Sequence, residues 1–252
     1  MNNWLGLEGR GVLLVGAGGI GTACAKGFHD VGARVVLADL DGPRASSIAK
    51  NIGLEENGGG SASFDATNSE ECRELVGSVT QRLGRLDVLV HCVGMNVRKP
   101  VLELTDDEWS STIALNLTSA FSLGQAAGRV MYEQGEGNIV FFSSVSSLLA
   151  HKLHTPYAAS KGGMNQMLRV MAQEWASHGI SVNAVAPGYT ETDLTKEYLA
   201  RPGVREGLER LVPAGRLGTP EDLVGPTLFL SSRRASYVTG HVFFADGGRT
   251  LT

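Results

Sequence analysis

The sequence predicts an α/β fold, a doubly wound, seven-stranded parallel sheet with helices on both faces. Three observations carry this. Short β-rich runs alternate with longer helical patterns from end to end, the signature of βαβ units. Those runs are nearly continuous in apolar side chains, as in Val12–Val15 and Val88–Val90, which suits strands covered on both faces. Crossovers between parallel strands are right-handed, so successive units wind into a sheet flanked by helices.

The first strand is read at Gly11–Val15, aliphatic throughout after its glycine, with a helical pattern over 19–31. Arg34–Ala38 is the second strand, and a helix at 44–52 follows Pro43. Ser61–Phe64, reached through a cluster of glycines, forms a third before the helix at 69–83. Leu86–His91 is the fourth and precedes a long helical stretch, 107–134. Gly137–Phe142 and the helix 156–178 repeat the unit. Ile180–Ala184 follows at once, and a helix at 219–231 leads to the last strand, His241–Phe244. No linker, low-complexity tract or internal repeat interrupts, so residues 1–252 read as one domain. Only 189–215 breaks the alternation. It is charged, carries Pro202 and Pro213, and follows a strand end, where ligands bind in such folds; it is expected to form a flexible substrate lid.

The chain has 252 residues, 42% of them hydrophobic, enough for a sheet buried on both sides. Its net charge of −4 comes from interspersed signs with no basic stripe, so nucleic acid is not an expected partner. The apolar runs are strand-sized, which speaks against a membrane span. The N-terminus lacks the basic and apolar segments of a secretory signal. Cys24, Cys72 and Cys92 form no C-x-x-C pair, so neither a disulfide framework nor a zinc site is implied. Cys24 and Cys92 sit in apolar helix and strand patterns and read as small buried hydrophobes. A reducing, cytoplasmic compartment follows.

Strand 11–15 runs straight into Gly16-Ala17-Gly18-Gly19-Ile20-Gly21 and then a helix, a G-x-G-x-x-G in its required context. The glycines permit a tight turn and let a pyrophosphate approach backbone N–H groups at a helix N-terminus. Asp39 closes the next strand. A carboxylate there accepts hydrogen bonds from the adenosine ribose and repels a 2′-phosphate, which favours NAD over NADP. Arg44, the only cation close by, reads as part of the solvated face of the next helix. The pattern is that of a Rossmann fold. A loop acid or helix cap is the plain alternative for Asp39.

Tyr157-Ala158-Ala159-Ser160-Lys161 places a phenol and an ammonium on one face of a helix. A nearby ammonium favours the phenolate and is expected to draw the tyrosine pKa, ordinarily ~10, down towards working range. Alone, the pair is equally an aromatic and a cation on an amphipathic helix. Upstream, strand 137–142 ends in Ser143-Ser144, and a hydroxyl at that end borders the cofactor cleft, able to hydrogen-bond a substrate oxygen as charge develops.

Taken with the glycine turn and Asp39, Ser144, Tyr157 and Lys161 resemble the short-chain dehydrogenase/reductase family. The resemblance extends over the chain: Asp65 in Phe64-Asp65-Ala66, Asn116 in Leu115-Asn116-Leu117, Asn183-Ala184-Val185-Ala186-Pro187-Gly188 with Thr192, Arg216–Asp222, and Asp246-Gly247-Gly248. It implies that Tyr157 is the general acid/base, that Lys161 lowers its pKa and binds the nicotinamide ribose, that Ser144 polarises the substrate oxygen, and that Asn116 anchors a proton-relaying water. It implies NAD contacts at Gly16, Gly18, Gly19, Ile20, Gly21, Asp39, Leu40, Asp65, Ala66, Gly94, Tyr157, Lys161, Pro187, Gly188, Thr190 and Thr192. The reaction is then hydride transfer between nicotinamide and an alcohol/carbonyl pair.

Two departures from the family pattern stand out. The glycine turn is one residue shorter, with Val15 where the family has threonine, so altered pyrophosphate contacts are expected. The family's N-N-A-G after the fourth strand is His91-Cys92-Val93-Gly94 here, which leaves open what His91 bonds to.

For substrate, Asn96, Ser146, His154 and Tyr189 come from loops expected to border the nicotinamide. Arg98 suits an anionic substrate or a solvated loop. His151 and His154 suit carboxylate or hydroxyl binding, or ordinary loop positions, and no third donor gives them metal spacing, so no metal is expected. Asn96-Val97-Arg98-Lys99-Pro100 resembles bacterial gluconate and deoxygluconate dehydrogenases, and the framework is similar to 3-oxoacyl-carrier-protein reductases. A sugar-acid or polyol dehydrogenase is therefore expected, with the carbonyl reductase as the alternative. The family implies a homotetramer through helices 107–134 and 156–178 and the last strand. An NAD(H)-sensing protein or a scaffold subunit of the same fold are the non-enzyme readings; neither needs all four catalytic positions filled.

Overall fold

The computed structural model describes residues 4–252. Its strands are β1 (Gly11–Val15), β2 (Arg34–Asp39), β3 (Gly60–Ser63), β4 (Val88–His91), β5 (Gly137–Phe142), β6 (Ile180–Pro187) and β7 (Val242–Ala245). They form one seven-stranded sheet in the order β3-β2-β1-β4-β5-β6-β7, every adjacent pair parallel. The strand order reverses between β1 and β4, and the crevice at their carboxyl ends is where such sheets bind ligands.

The helices are α1 (Gly19–Asp30), α2 (Gly42–Ile52), α3 (Ser69–Leu83), α4 (Asp106–Ile113), α5 (Ser119–Gln134), α6 (Thr155–Trp175), α7 (Asp193–Leu199), α8 (Val204–Glu209) and α9 (Val224–Leu230). Strand side chains alternate between faces, which explains the unbroken apolar runs. Val12 and Leu14 pack with Cys24 and Phe28 of α1, Ala49 of α2 and Leu228 of α9. Leu13 and Val15 turn the other way, to Leu75 of α3, Leu123 of α5 and Leu168 of α6. The outer strands differ: β3 and β7 are only partly buried.

Three segments depart from the expected elements. The stretch 107–134 is not one helix, because a π-turn, Ala114–Thr118, separates α4 from α5. The extra residue of that single wide turn is a small phase slip, easily passed over in a long helical pattern. The helix expected at 219–231 opens as a 3₁₀ turn, Pro220–Leu223, before α9. Residues 189–215 carry two short helices, α7 and α8, and a bridge between Thr190 and Gly218 ties their base to the fold. Among the described residues no helix is long and apolar enough to cross a membrane, and no cluster of His, Cys, Asp or Glu is placed to hold a metal.

Candidate active site

The glycine turn follows β1 directly. Gly16 has φ +106°, and a Cβ on Gly21 would lie 1.8 Å from the Gly16 carbonyl oxygen, so the short turn closes only with glycine at both places. Gly18 caps α1 with no side-chain bond, no acidic residue stands in the first turn, and a Cβ on Gly18 would meet nothing within 4 Å. Open space before uncapped helix amides fits a pyrophosphate. Asp39 Oδ2 accepts from the Ala17 amide at 2.6 Å and Oδ1 from the Asp41 amide at 3.0 Å. The acid therefore clamps the turn to the end of β2.

Ser144 ends β5 in extended backbone, its Oγ accepting from the Ser146 amide at 3.1 Å. Tyr157 enters from the first turn of α6 and shares the walls of two cavities with Ser144, whose side chain acts to lower the phenol's pKa. Lys161, one turn further, is buried and donates from Nζ to the Phe142 carbonyl oxygen at 2.7 Å. Its Nζ lies 5.7 Å from the Tyr157 ring centroid. Asn116 sits in the π-turn, fully buried. Its Oδ1 accepts from the Met95 amide at 2.8 Å, and its Nδ2 donates to the Met95 carbonyl at 2.9 Å and to Ser160 Oγ at 3.1 Å. This side chain holds the loop after β4 in place.

Burial, the largest influence, pushes the Tyr157 phenol up from its ordinary value, while the Ser144 side chain and the Arg98 charge oppose it. Burial brings Lys161 down from its ordinary value to about 8, and Arg98 adds a second cation near the phenol.

A cavity of about 140 Å³ at the switch point brings together Ile20, Gly94, Tyr157, Lys161, Pro187, Gly188, Thr190 and Thr192. Beside it a cavity of about 280 Å³ is lined by all four expected substrate residues, Asn96, Ser146, His154 and Tyr189, and shares Ser144 and Tyr157 with the first. Arg98, Lys152 and His151 complete its polar wall, with Tyr198 and Leu208 from 189–215. Arg98 stacks 4.6 Å from the Tyr198 ring centroid, so it is a wall residue and not a solvated loop cation. His151 bridges Ser146 Oγ at 2.8 Å and the Tyr189 hydroxyl at 3.2 Å. Nothing in the local sequence marks Tyr198 or Leu208, which the fold of α7 and α8 alone delivers.

Leu40, Asp65 and Ala66 line neither cavity. Leu40 is exposed beside Asp39, and Asp65 follows β3, its Oδ1 accepting from the Thr67 amide and hydroxyl at 2.8 and 2.7 Å. They stand at the ends of β2 and β3, on the side of the switch point away from Tyr157. Cys92, expected to be buried, is partly exposed in the smaller cavity's wall.

A family model described as enoyl-(acyl carrier protein) reductase matches residues 16–250. The chain belongs to the short-chain dehydrogenase/reductase family. Members of this family are oxidoreductases that act on CH–OH groups with a nicotinamide cofactor. Among its relatives are the 5-keto-D-gluconate 5-reductase of Escherichia coli, 36% identical over 98% of each chain. The gluconate 5-dehydrogenase of Gluconobacter oxydans is 37% identical, over 98% of this chain and 96% of that one. A crystal structure of gluconate 5-dehydrogenase from Burkholderia cenocepacia, in complex with NADP and tartrate, superposes with a TM-score of 0.93 at 33% identity, covering 97% of this chain and 96% of that one. A 3-oxoacyl-carrier-protein reductase of Thermotoga maritima is 35% identical over 97% of this chain and 99% of its own.

Proposed function

We propose that this short-chain dehydrogenase/reductase interconverts a secondary alcohol and a ketone on a sugar acid of the gluconate type, with NAD as cofactor. The observation that carries the reading is the larger cavity, where Arg98, Lys152 and His154 stand in one wall with Tyr157 and Ser144. The Arg98 and Lys152 cations beside a proton-transferring pair suit a substrate with a carboxylate at one end and a reacting hydroxyl within the chain, and His154, whose pKa burial lowers, offers a neutral hydrogen-bonding ring.

The nicotinamide, when bound, supplies or accepts the hydride. The remaining steps fall to side chains. Ser144 Oγ holds the substrate oxygen and bears the charge that develops on it. Tyr157 gives a proton to that oxygen in reduction and takes it in oxidation. Lys161, tied to the Phe142 carbonyl, holds the floor of the smaller cavity, where a cofactor ribose is the expected partner. Asp39 discriminates against a 2′-phosphate; the NADP bound to the Burkholderia relative makes this a point for measurement. The residues of the glycine turn, with Leu40, Asp65 and Ala66 beyond them, hold the adenosine half.

Residues 189–215 close over substrate through α7 and α8, whose Tyr198 and Leu208 already face the cavity. A cytoplasmic homotetramer is the assembly we favour, because Trp109, Phe121 and Val170 lie exposed on α4, α5 and α6 and Phe243 on β7. Sedimentation at micromolar concentration reads the assembly directly.

The function is tested by following reduced nicotinamide absorbance with NAD or NADP against sugar acids, polyols and an acetoacetyl thioester. Turnover of a gluconate-type acid with NAD supports the reading. Turnover of the thioester alone replaces it with the carrier-protein reductase, and cofactor binding without any turnover replaces it with a nucleotide sensor.

A further inference from the structure

One of the residues that depart from the family pattern is fully buried. His91 ends β4 with no exposed surface, and its Nε2 lies 2.8 Å from Ser119 Oγ. Ser119 has one hydroxyl hydrogen, and it goes to the Leu115 carbonyl oxygen. The serine can therefore only accept from the ring. Nε2 carries the imidazole proton, and Nδ1, which has no partner, is the bare nitrogen.

Leu115 belongs to the π-turn. In an α-helix its carbonyl would accept the Ser119 amide, but that amide donates instead to Ala114, five residues back. The slip in register frees the Leu115 carbonyl, and the Ser119 hydroxyl takes the place of the lost backbone donor. A free buried carbonyl is costly, so the side-chain bond stabilises the wide turn. His91 holds that hydroxyl from the strand below.

The turn presents Asn116, which grips both the amide and the carbonyl of Met95. Met95 lies between Gly94, in the smaller cavity's wall, and Asn96, in the larger one. A Cβ on Gly94 would lie 3.6 Å from Lys161 Nζ, so the loop runs close past the lysine.

We propose that His91 is a positioning residue of the active site: through Ser119 and the π-turn it sets Asn116, and thereby the 94–96 loop that walls both cavities. The assignment of those cavities to cofactor and substrate rests on the function proposed above.

Two variants test it, His91→Phe, which keeps a ring against Phe141, and Ser119→Ala, which removes only the hydroxyl. Native-state hydrogen exchange at the Met95 amide should quicken by about tenfold in each, the loss of roughly one buried hydrogen bond. Amides of β6 should keep their protection. With the best substrate, kcat should fall by a similar factor, and the double variant should be no worse than the worse single one. ¹⁵N spectra of the wild-type imidazole should show a neutral ring protonated at Nε2. Unchanged Met95 exchange, loosening shared by β6, additive losses, or a ring protonated at Nδ1 would each overturn the proposal. The exchange and ¹⁵N readouts need no substrate, so wild-type inactivity would count against the proposed function and leave this inference to stand or fall by itself. If His91→Phe does not fold, Ser119→Ala decides alone.

Discussion

Lys161 Nζ lies 2.7 Å from the Phe142 carbonyl oxygen, a buried ammonium held by backbone at the carboxyl end of β5. Burial brings its pKa from 10.5 to about 8. A base with a lowered folded pKa is destabilising while charged, so its contribution to stability improves as pH rises from about 8 to 10.5. The size is roughly 3 kcal/mol. Lys161→Met removes that cost but leaves the Phe142 carbonyl unpartnered, at about 1–3 kcal/mol. The variant should thus be as stable as wild type or slightly more so near neutral pH, and lose this advantage above the lysine's unfolded pKa. Turnover should be lost throughout. Denaturant melts of both proteins across pH isolate the lysine from other groups; a variant much less stable at neutral pH would contradict this account.

Tyr157 is an acid held protonated by burial. Alcohol oxidation, which needs the phenolate, should climb with pH through the neutral and alkaline range, whereas carbonyl reduction should persist until the phenol titrates. Tyr157→Phe should cost about 10²–10⁴ in kcat, the usual worth of a general acid/base, with cofactor affinity retained. Stopped-flow turnover beside fluorescence titration of NADH separates the effects, and lost cofactor binding would point to a packing role instead.

Asp39 clamps the Ala17 amide, and the proposed function gives it a second duty as ribose partner. Asp39→Ala should weaken NADH binding by about tenfold or more, as expected for loss of charged hydrogen bonds, and narrow any preference over NADPH. Titration with both nucleotides checks it. An equal loss for both would leave only the clamp.

Arg98 faces the larger cavity with its Nε buried and unpartnered. Arg98→Met should raise KM for a gluconate-type acid by roughly 10–100-fold, the loss of a charge-assisted contact, while a neutral polyol changes little. Steady-state kinetics on the two substrate classes decide; a uniform fall in kcat would make Arg98 a partner of Tyr157 alone.

What could be read in the chain beforehand was what lies close together along it. The glycine turn, Asp39, Ser144, Tyr157 and Lys161 each stand at a strand end or within one helical turn, where spacing implies placement. The four expected substrate residues share one cavity for the same reason, since loops at one sheet edge converge. Tyr198 and Leu208 were illegible because α7 and α8 bring them back over the site from an interval that lacks strand rhythm. The π-turn left no mark, although Asn116 depends on it.

The sequence by itself determined the doubly wound sheet and the positions of the acid/base pair, because buried parallel strands and one-turn helix spacing are properties of local pattern. Only the tertiary structure decided the protonation balance and the walls of the site. Tyr157 answers to burial, Ser144 and Arg98, and His91 is neutral because it is buried, with Nε2 the donor because Ser119 already gives its hydrogen to Leu115. Desolvation and hydrogen-bond direction depend on everything that surrounds a group, and those surroundings come from segments far apart in the chain.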